Sequence, residues 1–174
     1  MTLRLATPND ALALADLGRR AVSAKFQSLY KPEDFAAFME KTHSDAALVR
    51  ELADPGMRIG VIERDGALAA FCKLVITSTL PDQFSEARGA RAPLELKQLY
   101  TDPAQIGGGM GARLLEWAVE QARGVGSDEV QLTVYSENHD AQRFYHRHGF
   151  AKIADIEFWV GNHRDPEFLY ARKL

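Results

Sequence analysis

The stretch that decides the fold is Leu94-Glu-Leu-Lys-Gln-Leu-Tyr-Thr101, followed by Asp102-Pro-Ala-Gln-Ile-Gly-Gly-Gly-Met-Gly-Ala-Arg-Leu-Leu115. The first part is extended and apolar, and the second is rich in glycine. Each glycine costs a formed helix about 1 kcal/mol, so this run indicates that bare backbone is needed there. Apolar residues then recur at the spacing of one buried helix face, at Met110, Leu114, Ala118 and Ala122. The stretch therefore predicts a strand, a glycine turn and a helix over about 108–123.

Unobstructed N–H groups at a helix N-terminus, together with the helix dipole, favour a bound phosphate. A Walker loop needs Lys and then Ser or Thr after its last glycine, but Ala112 and Arg113 stand there. A dinucleotide fingerprint needs a small residue where Leu114 lies, and it follows the first strand of its domain. The pattern that fits is a pyrophosphate cradle of the acyl-CoA type, and the alternative is a flexible turn with no ligand.

The leucines of the strand are out of phase. Leu94 and Leu96 share one face, but the next leucine is Leu99, which alternation places on the other face. A β-bulge would restore the phase and bend the strand away from its neighbour. A strand buried on both faces explains the same pattern, and both interpretations stay open.

In the rest of the chain, the spacing of apolar residues is typical of helices in some segments and of strands in others. Helices are predicted after the capping signal at Thr7, over 32–41, over 44–53 and over 138–147. Asp65-Gly66 predicts a type I′ hairpin turn between two strands, and the segment from Pro81 to Pro93 predicts a mobile loop. The predicted strands are Leu3–Ala6, Arg58–Glu63, Leu68–Ile76, Leu94–Thr101, Glu129–Tyr135, Phe150–Val160 and Phe168–Leu174. We therefore expect one α/β domain over residues 1–174, with a mixed, mostly antiparallel sheet and helices on both faces.

Two motifs resemble the GNAT superfamily of acyl-CoA N-acyltransferases. The glycine run Ile106-Gly-Gly-Gly-Met-Gly111 is similar to the cofactor motif of that superfamily, with Ile106 where Gln or Arg is usual. The run from Asn138 to Phe150 is similar to its Asn-x-x-Ala-x-x-Phe-Tyr-x-Lys-x-Gly-Phe helix, with Arg147 at the lysine position. The end of the chain resembles bacterial acetyltransferases of the polyamine type. The resemblance implies the GNAT fold with a splayed central strand pair, acetyl-CoA as cosubstrate and a primary amine as acceptor.

The resemblance also implies roles for particular residues. Tyr145 is expected to hand a proton to the departing sulfur, with packing in the core as the alternative, and Glu95 is the candidate base, with a solvated strand residue as the alternative. The backbone of Leu99, Tyr100 and Thr101 is expected to hydrogen-bond the pantetheine arm. The cradle comprises Gly107, Gly108, Gly109, Met110, Gly111 and Ala112. Asn138 is expected at the pantetheine arm or as a helix cap, and Arg147 at the 3′-phosphate or on a solvated helix face.

Composition limits the remaining classes of function. The net charge of −3 offers no general attraction to nucleic acid or to a membrane, and no apolar run is long enough to span a bilayer. The single cysteine, Cys72, lies in an apolar run and predicts a buried strand residue in a reducing, cytoplasmic protein. His146 and His148 point in different directions from one helix, so no metal site is expected.

The acceptor is not fixed by the sequence. Aromatic residues that are expected in an acceptor pocket or in the core are Phe26, Tyr30, Phe35 and Phe38. A small-molecule amine such as a polyamine, an amino-sugar or an amino acid, and a protein or peptide amine, all stay open. A non-catalytic acyl-CoA-binding regulatory module on the same fold is the alternative from another class, and the resemblance makes a homodimer an expectation.

Overall fold

The computed structural model describes residues 1–174, which form seven strands and six helices. The strands are β1 (Thr2–Leu5), β2 (Met57–Arg64), β3 (Ala67–Val75), β4 (Pro93–Thr101), β5 (Glu129–Tyr135), β6 (Ala151–Val160) and β7 (His163–Lys173). The helices are α1 (Ala11–Phe26), α2 (Pro32–His43), α3 (Asp45–Ala53), α4 (Asp82–Glu86), α5 (Met110–Gly124) and α6 (His139–Arg147). No helix combines the length and the apolar character needed to cross a membrane.

The strands form one sheet in the order β1-β2-β3-β4-β5-β7-β6. Every neighbouring pair is antiparallel except β4 and β5, which run parallel. Helices α1 and α3 pack on one face over Val61 and Phe71, and α5 packs on the other over Leu94 and Leu132. The expected mixed, mostly antiparallel sheet with helices on both faces is confirmed.

Strand β4 contains a bulge, so the first of the two interpretations of its leucines is the correct one. Lys73 of β3 pairs with Gln98, but Leu74 pairs with Leu96, which leaves Lys97 as the extra residue. Leu96 and Leu99 therefore both face α5, although they are three positions apart.

The parallel pair β4–β5 separates soon after it begins. Pairing covers only Pro93, Leu94 and Glu95 of β4, although the strand continues to Thr101. Beyond Glu95, the edges of β4 and β5 carry main-chain groups that no neighbouring strand pairs. We call this opening the fork, and it is the splayed central strand pair that the resemblance implied.

Local predictions differ from the structure in three places. Strand β7 begins at His163 instead of Phe168, because its polar first half pairs with β6 across the Gly161 turn. The first helix is preceded by a 3₁₀ turn at Pro8–Asp10, in which Asp10 accepts the Thr7 N–H at 2.7 Å. The segment predicted as a mobile loop contains α4 and is fastened to β5, since Gln131 Nε2 donates to Ser85 Oγ at 2.6 Å.

Two further predictions agree with the structure. Asp65 and Gly66 both have positive φ, 53° and 79°, as a type I′ turn requires. Cys72 is a buried strand residue, and burial raises the pKa of its thiol to about 12.

Candidate active site

The glycine run forms an open cradle at the start of α5. Gly107, Gly108 and Gly109 have φ values of 103°, 70° and 73°, a left-handed region that favours glycine. A Cβ at any of the three would meet nothing within 4 Å, so the space in front of them is open. Because α5 is 15 residues long and its first N–H groups lie in this open space, the cradle suits an anion such as a pyrophosphate.

The residues next to these three glycines lie in different surroundings. The side chain of Met110 is buried in the core, so only its backbone can meet a ligand. Gly111 lies beside Phe144 of α6, whose ring would be 3.7 Å from an added Cβ. The side chain of Ile106 is 80% exposed, next to the cradle. Nothing in this arrangement obstructs a phosphate chain.

The fork exposes main-chain hydrogen-bonding groups of β4 to the same ligand. The expected contacts at Leu99, Tyr100 and Thr101 lie on the unpaired part of β4, between Glu95 and the turn that leads into the cradle. An extended amide chain such as a pantetheine can add to such an edge by main-chain hydrogen bonds. The residues present therefore fit a coenzyme A molecule, with phosphates at the cradle and the arm in the fork.

The fork opens into a cavity of about 550 Å³ on the α1–α2 side of the sheet. Glu95, Tyr145 and the side chains of Phe26, Tyr30 and Phe38 line it, whereas Phe35 is buried and stacks on Tyr30. A second hollow of about 690 Å³ lies against α1 and α2, is wide open and contains no acid, lysine, arginine or histidine. The cavity at the fork is therefore where the chemistry-bearing residues meet.

Tyr145 lies on α6 and reaches this cavity from the α5 side of the sheet. Its ring packs edge-on against Phe144 and Phe150, which fixes the position of the phenol. Burial raises the pKa of the Tyr145 phenol above its usual value, with Tyr100 and Cys72 adding to the rise. The phenol therefore stays protonated at neutral pH and holds a proton for donation.

Glu95 is buried and is the last residue of β4 that pairs with β5, where the fork begins. Its Oε2 accepts the hydroxyl of Thr79 at 2.6 Å and the backbone N–H of Thr79 at 3.1 Å. It pairs with neither Lys97 nor Arg91, so the alternative of a solvated strand residue is wrong. The two donors from Thr79 hold the carboxylate in one orientation on the cavity wall.

Asn138 and Arg147 occupy the two ends of α6. Asn138 Oδ1 accepts the Ala141 N–H at 3.2 Å and the Lys25 ammonium at 2.9 Å, so its oxygen caps the helix. This leaves the amide NH₂ of Asn138 for a ligand on the cavity wall. Arg147 is exposed and makes no salt bridge within the chain.

The hairpin of β6 and β7 closes one side of the cavity. The Tyr30 hydroxyl donates to Asp165 Oδ2, and the backbone N–H of Asn162 donates to Asp34 Oδ1 at 2.8 Å. Gly161 packs so closely on Asp34 that an added Cβ would lie 2.7 Å from its Cα. These contacts fasten the hairpin to Tyr30, which precedes α2, and to the first turn of α2 at Asp34.

Sequence reasoning missed several residues of the cavity wall. Thr79, Gln98, Asp165 and Glu167 all line it. Thr79 is 16 residues from its partner Glu95, and Asp165 is 135 residues from Tyr30, so no local pattern connects them. Asp165 and Glu167 precede the strand predicted from Phe168, so its alternation did not place them, whereas the structure has both on β7, two residues apart. No group of three or more His, Cys, Asp or Glu is arranged to hold a metal ion.

A phosphate cradle and a fork on one side, and an acid-bearing cavity on the other, define a transferase that brings two substrates together through an opening in its sheet. Solved structures share this architecture. The PaiA N-acetyltransferase of Thermoplasma acidophilum, in complex with coenzyme A, superposes with a TM-score of 0.78 at 19% identity over 100% of both chains. The yncA protein of Salmonella typhimurium, with its cofactor acetyl-CoA, gives a TM-score of 0.72 at 21% identity, covering 99% of this chain and 93% of the other.

Sequence comparison identifies the family. The model of the Acetyltransferase (GNAT) family matches residues 23–150, so the chain belongs to the GNAT family of acetyltransferases. An uncharacterized N-acetyltransferase of Lactobacillus delbrueckii subsp. lactis is 28% identical over 158 residues, which is 91% of this chain and 88% of the relative. The protein is therefore an N-acetyltransferase enzyme with acetyl-CoA as its cosubstrate.

Proposed function

We propose that the protein transfers the acetyl group of acetyl-CoA to a primary amine of a small molecule, polyamines included, by direct attack in a ternary complex. The observation that carries the proposal is the cavity at the fork, whose wall includes both Glu95 and Tyr145. Its volume of about 550 Å³ lies in the range of small-ligand sites, roughly 300–1,000 Å³. The hairpin fastened over it leaves a confined space, which suits a small acceptor better than a folded protein surface.

The cosubstrate supplies the acetyl group as a thioester, and the chain supplies positioning and proton transfer. The cradle N–H groups of Gly107–Gly109 hold phosphate, and the free edge of β4 at Leu99–Thr101 holds the pantetheine arm. Both sites act through backbone groups that the fold fixes in advance, which lowers the entropic cost of bringing the reactants together.

Two side chains handle protons. An aliphatic amine has a pKa near 10 and arrives mostly as an ammonium, so a proton must leave before it can attack. Glu95, oriented by Thr79, accepts that proton at its carboxylate. The neutral amine attacks the thioester carbonyl, so that a C–N bond forms and the C–S bond breaks. Tyr145 donates its phenolic proton to the departing sulfur and regains a proton from the new amide nitrogen, while Glu95 returns its proton to solvent. Asn138 contributes its amide NH₂ at the cavity wall.

A panel of amines tests the proposal through release of the free thiol. Polyamines, amino-sugars, amino acids and a peptide amine are each supplied with acetyl-CoA, and we expect turnover with at least one small amine. Tyr145→Phe should lower this turnover by about 10²–10⁴-fold, because it removes the proton and keeps the ring. Tyr170→Phe, the same change at a buried tyrosine in the core, is the matched control and should leave turnover unchanged.

Three results would contradict the proposal. Coenzyme A binding without turnover on any amine would indicate a regulatory module. Turnover on the peptide alone would indicate a protein acceptor. Turnover of Tyr145→Phe within twofold of the parent enzyme would return Tyr145 to a packing role.

A further inference from the structure

Two buried acceptor atoms on the cavity wall have no hydrogen-bond partner. They are Oε2 of Glu167 and Oε1 of Gln98, and both residues line the cavity at the fork. An unpaired buried acceptor costs free energy, about 1–3 kcal/mol and more for a charged group. A ligand that donates to both atoms would remove this cost.

The two residues lie on the same face of the sheet as Glu95. Gln98 pairs with Lys73, whose side chain points to α3, so Gln98 faces the α1–α3 side. Glu167 pairs with Tyr135 of β5, whereas Glu95 pairs with Gln131 four residues earlier on that strand. Four residues of a strand span about 13 Å, so the two carboxylates lie at well-separated levels of one cavity.

The other charged groups of the cavity already have partners or reach solvent. Lys25 donates to Asn138 at 2.9 Å, and Lys97 is exposed. Asp165 accepts the Tyr30 hydroxyl and has His163 at 3.2 Å. Glu157 pairs with Arg164 at 2.8 Å. Glu167 therefore stands apart as a carboxyl with a buried, unpartnered oxygen and no cation beside it.

The surroundings of Glu167 make its charge costly in the free protein. Burial raises the pKa of its carboxyl, the nearby Thr133 side chain opposes the rise, and the charge of Asp165 adds to it. A cation placed against the carboxylate would reverse this penalty. An ammonium suits acceptors of this kind, since it carries positive charge and three N–H donors and accepts nothing.

We propose that Glu167 and Gln98 form a second binding point in the acceptor cavity, which takes a second ammonium group of the acceptor while the reacting amine lies at Glu95. The inference rests on the proposed function and narrows the acceptor to a linear diamine or polyamine. Glu167 is then a specificity-determining residue that binds the substrate but takes no part in proton transfer.

The experiment compares each diamine with the monoamine of the same carbon chain, from putrescine with butylamine to hexanediamine with hexylamine. The wild-type enzyme should favour the diamine in kcat/KM by at least tenfold after correction for two equivalent nitrogens, about 1.4 kcal/mol. Glu167→Gln should lose most of this preference and keep its activity on the monoamine. Glu120→Gln, the same change at an exposed position of α5, should keep the preference.

Thermal unfolding and coenzyme A affinity equal to wild type show that Glu167→Gln is folded. If it does not fold, Gln98→Met, which removes the second acceptor at similar volume, should reduce the preference in its place. Equal kcat/KM for diamines and monoamines in the wild type, or an unchanged preference in a folded Glu167→Gln or Gln98→Met protein, overturns the inference and leaves the acetyltransferase proposal standing. Turnover on no amine at all overturns both.

Discussion

Replacing Gly109 by glutamate places a side chain and a negative charge in the cradle. Gly109 is the N-cap of α5 at φ 73°, and an added Cβ there meets no atom within 4 Å. The new side chain therefore has room in the fold and extends into the space that phosphate would occupy. The helix itself should persist, since a carboxylate near a helix N-terminus is favourable by about 0.3–1 kcal/mol.

The substitution has two costs, and only the second lowers coenzyme A affinity. A residue other than glycine in the left-handed region costs roughly 1–2 kcal/mol of folding stability. Repulsion between the carboxylate and a phosphate charge at about 5 Å costs about 1–3 kcal/mol for an effective dielectric constant between that of water and about 20. We expect coenzyme A affinity to fall at least tenfold, about 1.4 kcal/mol.

Gly126→Glu is the matched control for this change. Gly126 has φ 79° and open space around its Cβ, but it lies beyond the other end of α5, about 22 Å along the helix axis. Calorimetric titration should show lost affinity for Gly109→Glu and wild-type affinity for Gly126→Glu, although both lose stability. Wild-type affinity in a folded Gly109→Glu protein would mean that the phosphates bind elsewhere.

Three further predictions concern side chains. Glu95→Gln should lower turnover most at low pH, where the amine arrives protonated, and part of the loss should be recovered at higher pH; pH profiles of the two proteins that stay parallel and within twofold would remove Glu95 from the mechanism. Burial, with Lys73 and Arg19 adding, lowers the pKa of His43 to about 3 from 6.5. The unfolded chain therefore takes up a proton below about pH 6.5 that the native protein does not, and the free energy of unfolding should fall by about 1.4 kcal/mol per pH unit as the pH drops towards 4.5. Denaturant titrations of wild type and His43→Leu should differ in this slope, and equal slopes would contradict the assignment. Cys72, with its thiol pKa raised to about 12 by burial, should react with a thiol reagent only on unfolding, and labelling of the native protein would show that β3 opens.

The geometry of the cradle was predictable because its information is local. The glycines at 107–109 and the buried face of α5 lie within one continuous segment, so spacing alone indicates a strand, a cradle and a helix. The bulge was only half predictable. The phase break between Leu96 and Leu99 signals either a bulge or burial on both faces, and the pairing of Lys73 with Gln98 was needed to decide.

The acceptor side was largely hidden because its contacts join distant segments. Thr79 orients Glu95 from a segment that reads as a loop, and Tyr30 meets Asp165 across most of the chain. Glu167 reads in sequence as an ordinary charge beside Pro166 at the start of a strand. Its importance lies in an oxygen without a partner, which depends on three-dimensional packing and leaves no trace in residue spacing.

Because β4 has one extra residue at Lys97, a substitution and a change in chain length would affect the fork in different ways. The fork is an opening between backbones, so side chains that face the cavity can be exchanged without altering the unpaired edge of β4. A deletion of Lys97 would act differently. Gln98, Leu99 and Tyr100 would keep their present faces, because β4 would alternate regularly from Leu96 onwards, but the bulge that bends the strand would be lost. Substitution can therefore change the cavity wall in small steps, whereas a one-residue deletion at this position would change the bend of the backbone on which the fork depends.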